Sequence, residues 1–118
     1  MKSVSIYFFF TFIIGMSQHT SAATTDITIK IEKGHFFPSS IAIPSDTKVK
    51  LTIENHDDTP EEFDSHDLNR EVLIKGNSKA SIYIGPLPKG RYAFEGEFSP
   101  ETAQGEIIVK WKNHTSLF

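Results

Sequence analysis

Lys48-Val49-Lys50-Leu51-Thr52-Ile53-Glu54 runs directly into Asn55-His56-Asp57-Asp58-Thr59-Pro60-Glu61-Glu62-Phe63-Asp64. The first of these stretches alternates strictly. Val49, Leu51 and Ile53 fall on one side, and Lys50, Thr52 and Glu54 on the other. A period of two is the mark of a strand with one face in a core. The second stretch breaks that alternation with Asn, Asp and Pro, the residues that favour turns. It reads as a carboxylate-dense turn between two β-like runs.

Working outward, the same pattern recurs on both sides. Asp26-Ile27-Thr28-Ile29-Lys30-Ile31-Glu32-Lys33 alternates with its isoleucines inward. Gly34-His35 reads as a turn, and Pro38 marks an edge or a bend because it cannot donate to a ladder. Ile41-Ala42-Ile43 is a short strand, closed by Pro44-Ser45-Asp46. Beyond Phe63 the pattern loosens, and a short helix or an irregular crossover is expected before a strand at Arg70 to Ile74. Lys79 to Ile84 alternates again, and Gly85-Pro86-Leu87-Pro88-Lys89-Gly90 is a strong turn signal. Arg91 to Phe98 reads as a strand, as does Glu106 to Lys112. The aromatics Tyr92, Phe94, Phe98 and Trp111 are expected in the core by parity. About seven short strands with turn signals between them and no helix-period segment predict an all-β fold, a Greek-key antiparallel β-sandwich.

The chain has 118 residues and begins with Lys2 followed by the apolar run Val4 to Met16 and a polar, small-residue segment, Ser17 to Thr25. That order is expected of a secretory signal peptide over residues 1–22, cut near Ala22 or Ala23. The apolar run is short for a membrane anchor, which needs roughly 20 residues. The expected division is therefore signal peptide 1–22, folded domain 26–112 and flexible tail 113–118. A periplasmic or secreted protein with no membrane insertion after cleavage follows. Removing Lys2 from the 12 basic residues leaves 11 against 15 acidic ones, a net charge of −4. That balance argues against nucleic acid and anionic membrane surfaces as partners and favours cations or a basic protein. There is no cysteine, which removes thiol catalysis, thiolate metal sites and disulfides.

Chemistry concentrates in two acidic stretches. Between Glu54 and Asp67 stand Glu54, Asp57, Asp58, Glu61, Glu62, Asp64 and Asp67, with His56 and His66 but no Lys or Arg. The second is Glu95-Gly96-Glu97 with Glu101. A solvated, self-repelling loop is the ordinary fate of such a run. A bound cation is the alternative, since clustered carboxylates gain most from an ion. No nucleophile elbow or phosphate-binding glycine loop is present, and paired glutamates on so small a domain are a poor basis for glycoside hydrolysis. An enzyme is not expected.

The order and spacing of Phe37-Pro38, Val49 to Asn55, Thr59-Pro60-Glu61-Glu62-Phe63, Gly85-Pro86-Leu87, Tyr92-Ala93-Phe94 and Gly105 before Ile107-Ile108-Val109 resemble the cupredoxin-like domains. The nearer likeness is to the exported EfeO-type group that is poor in copper ligands. The resemblance implies that Glu61 stands where copper-binding members carry their first His. It places their Cys, second His and Met at Gly96, Ser99 and near Thr102 or Ala103. No blue-copper centre is expected, because thiolate, thioether and imidazole ligands are all missing there. Carboxylates favour harder ions than those ligands do. The expected site comprises Glu61, Glu62, Glu95, Glu97 and Glu101, with His35 as a further ligand. Its cofactor would be a transition-metal ion, iron or copper. The resemblance also implies a role in iron or other transition-metal acquisition or handling, with a membrane metal permease as partner. The alternative is a metal-free acidic module that docks such a permease. A copper electron-transfer protein is the third reading. Parity sets one condition on the site. Gly96 shares the inward side of its strand, so Glu95 and Glu97 point outward and reach Glu61 only if the strand end bulges.

Overall fold

The computed structural model describes residues 24–111 continuously, together with residues 2–5, 7 and 11–17 near the N-terminus. The expected cleavage point at Ala22 or Ala23, residue 112 and the expected tail at 113–118 lie outside the described residues. No helix among the described residues is long and apolar enough to cross a membrane.

Nine strands form two sheets: β1 Thr25–Glu32, β2 His35–Phe37, β3 Ser40–Pro44, β4 Val49–Asn55, β5 Glu61–Ser65, β6 Arg70–Ile74, β7 Ser78–Ile84, β8 Gly90–Gly96 and β9 Gln104–Lys110. One sheet has the order β2-β1-β4-β7 and the other β3-β9-β8-β5-β6. The alternating apolar residues of both sheets meet in the middle. Ile29, Ile31, Val49, Leu51 and Ile53 come from the first sheet, and Phe63, Ile74, Phe94, Ile107 and Val109 from the second. Phe63 lies at the centre. Its ring centroid is 4.9 Å from that of Phe94 and 6.2 Å from that of Phe36, which meets it edge-on.

The all-β sandwich agrees with the sequence reading, and four details differ. First, the sheets are mixed. β1 runs parallel to β4, and β3 parallel to β9, because each of these pairs is joined through the other sheet and not by a hairpin. Second, β2 is a short strand where a turn and a bend are expected. Third, the break after Asn55 is shorter than expected, and Glu61–Ser65 is a strand in full pairing with β6. Its inward positions are Glu61, Phe63 and Ser65, and with two polar residues inward it carries no apolar alternation to read. Fourth, two expected core aromatics are outside. Phe98 is 53% and Trp111 is 69% exposed. Both lie just past a strand end, where parity no longer fixes direction. The Lys89 ammonium sits 5.6 Å from the Trp111 ring centroid, a cation–π contact at the surface.

Candidate metal centre

Three connections meet at one end of the sandwich, and their polar groups tie them together. The Asp57 carboxylate accepts hydrogen bonds from the backbone N–H groups of Lys33 (2.7 Å) and Gly34 (2.9 Å). This staples the turn between β1 and β2 to the turn after β4. The Thr102 hydroxyl donates to the Gly34 carbonyl at 2.7 Å, which fastens the β8–β9 loop to the same turn. Asn55 is buried and fully used. Its amide donates to the carbonyls of Thr59 (2.8 Å) and Ile74 (3.2 Å), and its oxygen accepts from Asp57 N–H (3.0 Å).

At this end the expected site residues divide by the pleat of β5. Glu61 points inward and is only 4% exposed. Its Oε1 accepts from the backbone N–H of Phe98 at 2.9 Å and of Glu62 at 3.0 Å. Glu62 and Asp64 share the opposite, outward face. Asp64 stands directly across from Glu71 on β6 and from Glu95 on β8. Strand β8 ends at Gly96, and the chain turns there. The Glu97 N–H donates to the Glu62 carbonyl at 2.9 Å, which brings Glu97 beside β5. As a result Asp64, Glu95 and Glu97 each place a carboxylate oxygen within 4.8 Å of the others. Among the described residues this is the one group of three or more potential ligand side chains so closely placed.

The structure brings Glu95 and Glu97 together with Asp64 and not with Glu61. The bulge that would bring them to Glu61 is absent from β8, so the two glutamates keep their outward direction. Glu61, Glu62, Glu101 and His35 lie outside the group. Glu101 is exposed in the β8–β9 loop. His35 is exposed at the start of β2, with Nδ1 2.8 Å from the Lys33 carbonyl. Asp64 is the residue the sequence reading omitted. Its signal was parity, since it lies two positions from Glu62 around the apolar Phe63. An open cavity of about 330 Å³ adjoins the group, lined by Asp64, His66, Asp67, Ala93, Glu95 and Gln104.

The electrostatics of this face are those of crowded negative charge. A hydrogen bond with Glu71 pushes Glu62 up to about 7. Partial burial and the charges of Glu71, Glu97 and Asp64 act in the same direction. A carboxyl that keeps its proton and donates it in a hydrogen bond to its neighbour relieves part of the repulsion. A cation would relieve more of it, and oxygen-only donors suit hard ions.

Known proteins share this fold. Residues 4–109 match the cupredoxin-like domain family. The uncharacterized protein RP394 of Rickettsia prowazekii (strain Madrid E) is 43% identical over 84 residues, which is 71% of this chain and 67% of that protein. Among solved structures, a copper binding protein in the apo form has a TM-score of 0.66 at 16% identity, covering 79% of this chain and 93% of that one. Auracyanin A, a "blue" copper protein from Chloroflexus aurantiacus, has a TM-score of 0.64 at 12% identity, covering 75% of this chain and all of that one. The metal binding domain of the Cu(I) exporting P-type ATPase CopA of Streptococcus pneumoniae D39 has a TM-score of 0.61 at 17% identity, covering 76% and 98%. At these identities the structural likeness concerns the fold. With the family match spanning most of its length, the chain belongs to the cupredoxin-like domain family.

Proposed function

We propose that this protein is an exported, non-catalytic metal-binding protein that takes up a hard transition-metal ion, iron or manganese, on the outer face of its five-stranded sheet. Asp64, Glu95 and Glu97 are the ligands in this reading. The observation that carries it is the convergence of their carboxylate oxygens within 4.8 Å. Their setting adds support. The opposed row Glu71–Asp64–Glu95 is repulsive without a cation, and Glu62 stands beside it with its proton affinity raised. His66, which lines the adjoining cavity, is within the chemistry of the same ions. The biological role we assign is iron or other metal acquisition, in the periplasm or outside the cell.

The test is calorimetric titration of the metal-free protein with iron(III) supplied as its citrate complex, with manganese(II) and with copper(II). Saturable binding of a hard ion, lost in Asp64→Ala, is the expected result. No saturable binding of any of the three sinks the proposal.

A second reading has its own observation. Leu73 lies directly across from Glu62 on the same outward face and is 54% exposed, so an acidic side chain stands against an exposed apolar one. That combination suits a basic partner, such as a loop of a membrane permease, held without metal. Partner binding that survives chelator and weakens with salt favours it.

A further inference from the structure

The resemblance to copper proteins gives ligand positions to Glu61, Gly96, Ser99 and Thr102 or Ala103, and this chain's residues there do not fit a copper ion. Gly96 and Ala103 bring no donor. The space is also taken. A Cβ placed on Gly96 would lie 2.7 Å from the Glu61 carboxyl carbon, 2.9 Å from its Oε2 and 2.7 Å from the Ala103 Cβ. Real side-chain atoms do not approach so closely, so Gly96 is the residue that leaves room for Glu61. The inward side of this end is filled by a carboxylate and a methyl group.

We infer that the buried Glu61 carboxylate takes over the loop-holding work of a metal ion, so that the β8–β9 loop is closed by the chain itself and the inward site is sealed against metal. A ligating ion would bind the start of β5 to the loop after β8. Glu61 makes that connection directly, because its Oε1 receives the Phe98 N–H at 2.9 Å. The rest of the loop is closed from within. Gly96 N–H donates to the Ala103 carbonyl at 2.8 Å, and Ala103 N–H donates to the Ser99 carbonyl at 2.8 Å. Hydrogen bonds from backbone amides to an ionised carboxylate are among the stronger ones in proteins. The cost of burying Glu61 is offset at Oε1 by two such donors. The seal is independent of the outward group of Asp64, Glu95 and Glu97, which lies on the other side of the same sheet.

Two measurements on the full chain in chelator decide the inference. The first is amide hydrogen exchange. In Glu61→Ala the Phe98 amide exchanges at least about tenfold faster, as expected for loss of a hydrogen bond to a charged group. The Ile53 amide keeps its wild-type rate once global stability is corrected for. Glu61→Gln preserves the shape and one acceptor oxygen, and covers the case in which alanine fails to fold. There the Phe98 amide accelerates by a smaller factor. The second is a double-mutant cycle read from melting temperatures. Gly96→Cys lowers the midpoint sharply in the wild type and less on the Glu61→Ala background, because the carboxyl group it meets has been removed while the contact with the Ala103 methyl remains. Unchanged Phe98 exchange in whichever variant folds overturns the inference. So does an equal loss from Gly96→Cys in both backgrounds. Stoichiometric copper binding by wild type that disappears in Glu61→Gln overturns the sealed site directly. None of these outcomes depends on whether Asp64 holds a metal.

Discussion

Asp64→Asn reverses its effect on stability according to whether a cation is present. Asp64 faces Glu71 on one side and Glu95 on the other. Each directly opposed like-charge pair costs about 0.2–1 kcal/mol. Removing both stabilises the metal-free protein by roughly 0.4–2 kcal/mol. For a domain of this size about 1 kcal/mol moves the melting midpoint by roughly 4–8 °C, so the variant melts several degrees above wild type. The melt is followed by circular dichroism in chelator at low ionic strength and about pH 8, above the Glu62 value of about 7. In about 1 M salt, where the screening length falls to roughly 3 Å, most of the difference disappears. With manganese(II) at about a hundred times its dissociation constant, wild type gains about 2.7 kcal/mol. The variant, lacking a ligand, gains little, and the order of midpoints inverts. A variant that melts below wild type in chelator at low salt refutes the reasoning. In that case the carboxylate row would already be satisfied in the metal-free fold and would have no need of a cation.

Further outcomes follow from the same structure. The raised Glu62 carboxyl favours its protonated form in the fold, so its contribution to stability is fully present below the unfolded value of 4.5 and is lost as pH rises to about 7. Thermal melts in chelator between these limits show a decline that Glu62→Gln flattens. Asn55→Ala leaves the Thr59 and Ile74 carbonyls and the Asp57 N–H without their partner. It costs about 2 kcal/mol or more in urea unfolding, because each buried unsatisfied group costs about 1–3 kcal/mol. Asp57→Ala frees the turn at Lys33 and Gly34. Faster amide exchange at those two residues, with β4 unaffected, is its signature.

The sandwich was legible because its core is written in isoleucine, valine, leucine and phenylalanine at period two. Ile29, Ile31, Val49, Leu51, Ile53, Ile107 and Val109 all lie inward as the alternation requires. The parallel pairing of β1 with β4 and of β3 with β9 was not legible, since alternation fixes which face is buried but not which strand lies alongside. Strand β5 was hidden for a related reason. Its inward positions are held by Glu61 and Ser65 beside Phe63, and both polar groups are bonded to backbone partners that only the folded chain supplies. The site was half legible. The outward direction of Glu95 followed from parity. Its partner depends on the register of β5 against β8, which pairs Asp64 with Glu95 and leaves no mark in either segment. Phe98 shows the limit of parity in the other direction, for the turn at Gly96 frees it from the strand that precedes it.

In the proposed function, metal binds on the outer face at Asp64 and not at the inward Glu61. Titrating manganese(II) or iron(III) citrate into wild type, Asp64→Asn and Glu61→Gln by calorimetry, side by side, tests it most directly. Saturable binding in wild type and Glu61→Gln, abolished in Asp64→Asn, is the result predicted. Binding retained in Asp64→Asn and lost in Glu61→Gln would contradict it.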